Sequence, residues 1–351
     1  MLSNCKGASR MLIINTGIRD PNFTYMTGFA SGLFEGNSLI ISRKRIELLT
    51  NSLEYEDAMK QRAPGLRVVK VSSSKQLRSL LSSAIKGRTI GINEDFLPAS
   101  LYGRIRRAYG PRKLVDASGA FSNARMVKDQ GEIDSIRKAA RITKAAMVKI
   151  RNRLREGMTE KELAAEFDYI SSSLGSEGPS FSTIACFGKN SSMPHHMPGN
   201  TRLRKGDFIL IDAGARVQNY CSDITRTMIF KDNSNARDHI RKAEMYGVVK
   251  EAQRIAISMI KEGVVASKVD KAARDYIDGF SKGRYRGRFI HSLGHSLGLE
   301  VHDGNGLAPG NREKLKAGTV VTVEPGVYVP GFGGVRIEDD VVVRKHGAEI
   351  L

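Results

Sequence analysis

Phe208-Ile209-Leu210-Ile211-Asp212, followed by Tyr220-Cys221-Ser222-Asp223-Ile224-Thr225-Arg226, is the stretch that decides how this chain folds. The first run is apolar and rich in β-branched residues, so it reads as a buried strand ending in a carboxylate. Tyr220 to Phe230 reads as its partner strand and carries Asp223. A hairpin centred on Val217-Gln218 sets Asp212 directly opposite Asp223. Cross-strand neighbours have Cβ atoms ~5 Å apart, and like charges there destabilise a sheet. Two acids so placed beside an apolar run imply a cation between them.

The second half repeats the oddity. Thr319 to Glu324 is a β-rich run ending in Glu324-Pro325-Gly326, and Val335-Arg336-Ile337-Glu338 follows a glycine-rich turn. Arg336 and Glu338 share one face of a strand by period two. Of seven histidines, His195 and His196 occupy one segment, and His291, His295 and His302 another. In an extended segment His291 and His295 fall on the same face. An oxygen-rich set with imidazole and no thiolate suits Mn²⁺, Co²⁺ or Fe²⁺, with Zn²⁺ admissible. Four carboxylates neutralise two divalent ions, an arrangement fitted to hydrolysis. His291-Ser292-Leu293-Gly294-His295 has the histidine spacing of a zincin helix. However, Ser292 stands where that motif needs Glu, and the glycines oppose a helix. His239 and His346, in charged surroundings, read as exposed, and Cys221 as packing near Asp223.

Working outward, Leu154-Arg155-Glu156-Gly157 precedes a helix ending Asp168-Tyr169-Ile170, and Ile260-Lys261-Glu262-Gly263 precedes one ending Asp275-Tyr276-Ile277. Capping boxes open two helices, at Asp129/Glu132 and at Thr159/Glu162. The first is expected to run to Glu156 and the second to Gly175. Each repeated unit leads into a histidine segment and a strand pair with two carboxylates. That implies two half-domains related by approximate two-fold symmetry, sharing one site. Upstream, residues 11–116 alternate β-branched runs (12–15, 38–42, 46–50, 66–71, 89–93) with helical stretches (53–62, 74–85, 97–109), the pattern of an α/β domain. Ser118 to Lys128 reads as a linker. The domains are therefore expected at 1–120 and 121–351.

The 351 residues are 40% hydrophobic and 26% charged, which excludes disordered and fibrous classes and favours two globular domains. No apolar run approaches the ~20 residues of a membrane helix. Met1 to Arg10 lacks the apolar stretch of a signal peptide, so a cytoplasmic location is expected. Cys5, Cys186 and Cys221 form neither a disulfide framework nor a zinc knuckle. Fifty-six basic residues face 37 acidic ones, for a formal charge of +19. Residues 1–125 hold 20 against 9, and the remainder 36 against 28. The basic clusters, at 43–45, 104–107 and 284–288, are short and carry no nucleic-acid-binding signature. They read as solvated surface, and neither nucleic acid nor membrane is expected as a partner.

The motifs Ile211-Asp212-Ala-Gly, Ser222-Asp223-Ile-Thr-Arg226-Thr227, Gly294-His295-Ser-Leu-Gly298-Leu-Glu-Val-His302-Asp303, Val323-Glu324-Pro-Gly and Gly334-Val-Arg336-Ile-Glu338-Asp339 together resemble the pita-bread metallopeptidase family. The resemblance runs from about Pro21 to the end. Asn22-Phe-Thr-Tyr25-Met-Thr-Gly28-Phe29 is similar to the N-terminal domain of its prolidase and aminopeptidase P branch. It implies an α/β N-terminal domain followed by an α+β pita-bread catalytic domain with a pseudo-twofold internal repeat. It implies two divalent ions, Mn or Co first, held by Asp212, Asp223, His295, Glu324 and Glu338, with Asp223 and Glu338 bridging. His195, favoured over His196, matches the upstream active-site histidine, and His291 and His302 match histidines lining the substrate site. Glu324 matches the proton-transferring carboxylate, and Arg336 the arginine that would hold Glu338. The implied reaction is hydrolysis of Xaa-Pro bonds beside a free N-terminus, by a dipeptidase first, with an aminopeptidase acting on longer peptides as the alternative. A small peptide with proline second is the expected substrate, and a homodimer the expected assembly. Methionine aminopeptidase is disfavoured by the N-terminal domain. Intact ligand positions oppose creatinase and the non-catalytic relatives that bind nucleic acid or protein.

Overall fold

The computed structural model describes residues 5, 7–16, 20–232 and 235–351. The chain divides into two compact units, Met1–Arg125 and Met126–Leu351. Among the described residues, no helix is long and apolar enough to cross a membrane.

The first unit is a six-stranded sheet with helices. In chain order it contains β1 (Arg10–Ile14), α1 (Pro21–Thr27), β2 (Ser38–Ile41), β3 (Ile46–Thr50), α2 (Tyr55–Gln61), β4 (Leu66–Lys70), α3 (Ser74–Ile85), β5 (Thr89–Ile92), α4 (Ala99–Tyr109), β6 (Lys113–Asp116) and α5 (Ser118–Met126). The strand order is β4-β3-β2-β1-β5-β6. Only β2 runs against the others, because a short hairpin joins it to β3. Three of these elements depart from expectation. α1 forms because Asp20 caps it, Pro21 fits its first turn and Gly28 ends it in the left-handed region. The short β6 pairs parallel with β5. The stretch read as a linker is α5, since its small residues and Phe121 bury in this unit's core.

The second unit opens with α6 (Gln130–Ile150) and α7 (Glu160–Ser173). Both expected capping boxes are present. α6 stops at Ile150, short of Glu156, because a 3₁₀ turn follows and Leu154 turns extended to pack on the core. Next come β7 (Ile184–Phe187), β8 (Phe208–Ala213), β9 (Arg216–Val217), β10 (Tyr220–Cys221), β11 (Ile224–Ile229), α8 (Ala236–Met259) and α9 (Ala266–Gly279). β12 (Val320–Val323), β13 (Gly326–Val329), β14 (Gly333–Arg336), β15 (Asp339–Val343) and β16 (Ala348–Ile350) complete it.

The internal repeat is written in backbone hydrogen bonds. Gly157 and Gly263 both take positive φ (82° and 84°) before α7 and α9. Gly157 N–H donates to Leu203 O and Leu203 N–H to Met158 O; Gly263 donates to Leu315 and Leu315 to Val264 in the same way. Each half has its own core, one around α6, α7 and β8, the other around α8, α9 and β12.

Register corrects one expectation. The hairpin turns on Gln218-Asn219, both at positive φ, so Val217 pairs Tyr220 and Asp212 pairs Thr225 rather than Asp223. A two-residue turn with both central residues left-handed matches strand twist. Asp223 instead lies in the break between β10 and β11, beside Gly214, where a Cβ would strike Ser222 O at 1.8 Å.

Candidate metal centre

Four strand ends deliver the acids. Asp212 sits near the end of β8, Asp223 just before β11, Glu324 just after β12 and Glu338 between β14 and β15. His295 is fixed alongside β12: its N–H donates to Thr322 Oγ1, and its carbonyl accepts from Thr322 N–H. One oxygen each from Asp223 and Glu338 and one nitrogen of His295 lie within 4.8 Å of one another. His295 Nε2 is 3.3 Å from Asp223 Oδ2 and 3.6 Å from Glu324 Oε1.

This cluster is expensive as it stands. Asp223 and Glu338 are buried, and Asp212 Oδ1, Asp223 Oδ1 and Glu338 Oε1 have no hydrogen-bond partner among the described residues. Burial, then Glu338, Asp212 and Glu324, drive the Asp223 carboxyl well above its ordinary range. Burial, then Glu324 and Asp212, do the same to Glu338. Burial pushes Glu324 up to about 8, against the opposing pull of Arg336. Buried carboxylates without partners are rare unless paired with cations or metals. The donor set therefore fits divalent ions.

Burial holds His291 and His295 neutral. Burial, then His302, lowers His295 to about 4. Its Nδ1 faces Ser296 O, an acceptor, which puts the proton on Nδ1 and leaves the Nε2 lone pair for the acids' side. Burial, then Arg336, lowers His291 to about 4. Its Nδ1 donates to Ser292 O and its Nε2 accepts from Tyr328 Oη, so both nitrogens are engaged. His302 packs edge-on to His295, with ring centroids 4.2 Å apart, and burial lowers its pKa. His195 lines the same cavity, whereas His196 turns away to Glu160.

Arg336 is placed differently from expectation. Its guanidinium reaches Asp212 Oδ2 at 2.5 Å, Tyr328 Oη at 2.9 Å and Thr225 Oγ1 at 3.1 Å. Thr225 in turn donates to Glu338 Oε2 at 2.6 Å, so Arg336 reaches Glu338 only through that hydroxyl. The β8–β11 register causes this, by seating Thr225 opposite Asp212.

Sequence reading missed the residues that carry the histidine segments. Glu160, the first residue of α7, is fully buried and accepts from Phe187 N, Asn190 Nδ2, Gly199 N and His196 Nε2 at 2.8–3.0 Å. These partners bracket His195. In the other half, Asp270 of α9 accepts from Leu293 N, and Arg274 donates to Phe289 O and His291 O. Tyr328 and Asp340 were missed too; Asp340 accepts from Asp223 N–H. Glu160 was legible only as the residue after a capping threonine. Nothing local marks its role.

All the candidate residues border one cavity of about 610 Å³, walled on its apolar side by Phe181, Ile184, Pro194 and Val301. That is the size of a small-ligand site. Cys221 does not line it; its thiol is buried in a separate apolar cluster. His239 and His346 are exposed.

Comparison with known proteins agrees with this arrangement. Residues 134–345 match the model of metallopeptidase family M24, and residues 5–127 that of the creatinase/prolidase N-terminal domain. An Xaa-Pro dipeptidase of Pyrococcus horikoshii is 33% identical over 95% of this chain and 90% of its own length. An X-Pro aminopeptidase structure from Thermotoga maritima superposes with a TM-score of 0.89 at 36% identity, covering 98% of this chain and 95% of that one. The prolidase of Pyrococcus furiosus gives 0.86 at 32%, covering 98% and 96%. With its clustered carboxylates, paired half-domains and both family models matched, the chain belongs to metallopeptidase family M24, in pita-bread form behind a creatinase/prolidase-type N-terminal domain.

Proposed function

We propose that this protein is an Xaa-Pro dipeptidase that works with two divalent ions, manganese or cobalt first. Asp212, Asp223, His295, Glu324 and Glu338 would hold the ions, with Asp223 and Glu338 serving both. The observation that carries this reading is the cluster of Asp223, His295 and Glu338 ligand atoms within 4.8 Å of one another, drawn from both half-domains, together with buried oxygens on Asp212, Asp223 and Glu338 that have no hydrogen-bond partner among the described residues. Ions bound there would supply Lewis acidity to the scissile carbonyl and lower the pKa of the attacking water.

The chain's own groups then divide the work. Glu324, whose carboxylate borders the cavity, accepts the proton of the attacking water and passes it to the leaving imino nitrogen. His302, which lines the cavity beside His295, would donate to the developing oxyanion. His291 is not free for that task, because Ser292 O and Tyr328 Oη occupy its nitrogens. It fixes Tyr328 instead, and through Tyr328 the orientation of Arg336. Arg336 orients Asp212 directly and Glu338 by way of Thr225. The apolar wall of Phe181, Ile184 and Val301 suits the proline ring.

A second reading, aminopeptidase action on longer Xaa-Pro peptides, is favoured by one observation. Among the described residues lining the cavity, Arg336 is the sole lysine or arginine, and it is bound to Asp212. A dipeptidase needs a cation for the product proline's carboxylate. Turnover of Ala-Pro against Ala-Pro-Ala separates the two readings: a dipeptidase cleaves only the first. A cytoplasmic homodimer belongs to the same proposal and rests on the sequence alone.

A further inference from the structure

Most of the first unit's charges are sorted to opposite ends of its sheet, Lys70 at the close of β4 being an exception. β1, β3, β4, β5 and β6 all begin at one end, where β2 finishes. Arg10 opens β1, the β2–β3 turn is Arg43-Lys44-Arg45, Arg67 is the second residue of β4, and Arg88 and Arg112 immediately precede β5 and β6. Of the nine acids in residues 1–125, only Glu47 stands at this end, and Arg45 and Arg67 pair with it at 3.0 and 3.2 Å. The others lie at the far end: Asp20 follows β1, Glu35 precedes β2, Glu54 precedes α2 and Asp116 closes β6. Clusters that are short along the chain thus merge into one row across six strands.

The row is partly built. Arg10 Nη1 donates to Ala84 O, and Arg88 Nη1 to Ser83 O and Lys86 O, so both guanidinia are held in place. Burial, then Arg88, weaken the hold of Arg10 on its proton, with Glu47 opposing and Arg45 adding to the loss. Ser9, Arg10 and residues 42–45 line a single depression.

The chemistry of the partner follows from what accompanies the charge. Six strands at ~4.8 Å spacing span ~24 Å, the length of about seven nucleotides at ~3.4 Å each. The strongly exposed large apolar side chains among the described residues of this unit, Leu33 and Leu53, both lie at the opposite end, whereas insertion into a bilayer needs such side chains beside the charge. Tyr109, nearby, packs into the core rather than standing free to stack on a base. We propose that this end of the sheet binds the phosphate backbone of double-stranded nucleic acid without reading its sequence. This stands apart from the peptidase reading.

The test uses full-length protein and fluorescent mixed-sequence duplexes of ~20 base pairs, one DNA and one RNA, titrated by anisotropy from ~50 mM salt upward. Binding of either duplex at micromolar protein is expected, with log K falling linearly against log salt. The triple variant Arg43→Ala/Lys44→Ala/Arg45→Ala should weaken binding at least ~10-fold and flatten the salt slope by about 2–3 units, at ~0.9 per phosphate contact. Peptidase activity should not change, which also certifies the fold. The control triple Lys282→Ala/Arg286→Ala/Arg288→Ala removes equal charge from the second unit and should leave affinity within about twofold. Equal weakening by both triples would reduce the effect to net charge and overturn the proposal. So would the absence of duplex binding at ~100 μM protein, or binding of phosphatidylserine vesicles in preference to either duplex.

Discussion

Truncating Glu160 to Ala should separate how the site is positioned from how it is charged. The carboxylate is fully buried and takes four donors spread over residues 187–199. Removing it strands the buried Phe187 N–H outright, at ~1–3 kcal/mol, while water can reach part of the other three. A total of ~2–4 kcal/mol follows, and at ~2–4 °C per kcal/mol for a unit of this size the melting temperature should drop by about 10 °C. The kinetic effect should be larger in proportion, because His195 loses the anchors on either side of it. A misplacement of ~1 Å costs on the order of 100-fold in turnover. Metal content should stay at the wild-type value, since none of the five candidate ligands contacts Glu160. Glu160→Gln should rescue little, because its amide turns N–H groups toward Gly199 N–H. The assays are calorimetry, kcat/KM on Ala-Pro and elemental analysis of the purified variant. Wild-type melting and kcat/KM in Glu160→Ala would refute this reasoning; parallel loss of metal and activity would show that Glu160 supports the whole site instead.

Asp223→Asn should lower bound metal and abolish turnover with the fold retained by circular dichroism, because a neutral amide cannot serve two cations; full activity with two bound metals would sink the assignment. Metal affinity should fall as pH falls, since Asp223, Glu324 and Glu338 hold protons more tightly than usual and must release them to bind; isothermal titration between pH 6 and about 8.5 reads this. The metal-free protein should show the reverse trend in stability. Glu324 binds its proton more tightly folded, near 8, than unfolded, so stability is gained at low pH and lost as pH climbs towards 8, at up to ~1.4 kcal/mol per pH unit from this group. Melting curves after verified chelation check the sign. Tyr328→Phe should reduce kcat with little change in metal content, because it frees His291 and unties one arm of Arg336.

The converging acids were legible because buried strands rarely end in unpaired carboxylates, and that irregularity survives any error of register. Register itself was not legible. Whether the turn is Val217-Gln218 or Gln218-Asn219 depends on which residues accept positive φ, and the choice moved Asp212 from Asp223 to Thr225. That shift also redirected Arg336, whose partner could not be read from period-two spacing alone. The repeat was visible in its two Glu-Gly stops, yet its strongest evidence is backbone bonding, which leaves no mark in side-chain identity. α1 and α5 escaped notice because each is short and lacks a continuous apolar stripe. Glu160 and Asp270 act through contacts with segments 23–39 residues downstream, a distance at which no local pattern reports them.

The central claim is that the converging acids and His295 hold metal for Xaa-Pro hydrolysis. Its most direct measurement is release of proline from Ala-Pro by protein stripped with chelator and then titrated with Mn²⁺ or Co²⁺, with bound metal counted in parallel. No hydrolysis is expected without metal, and activity should saturate as two ions bind per chain. Hydrolysis by the verified metal-free protein, or none with any divalent ion despite full loading, would contradict it.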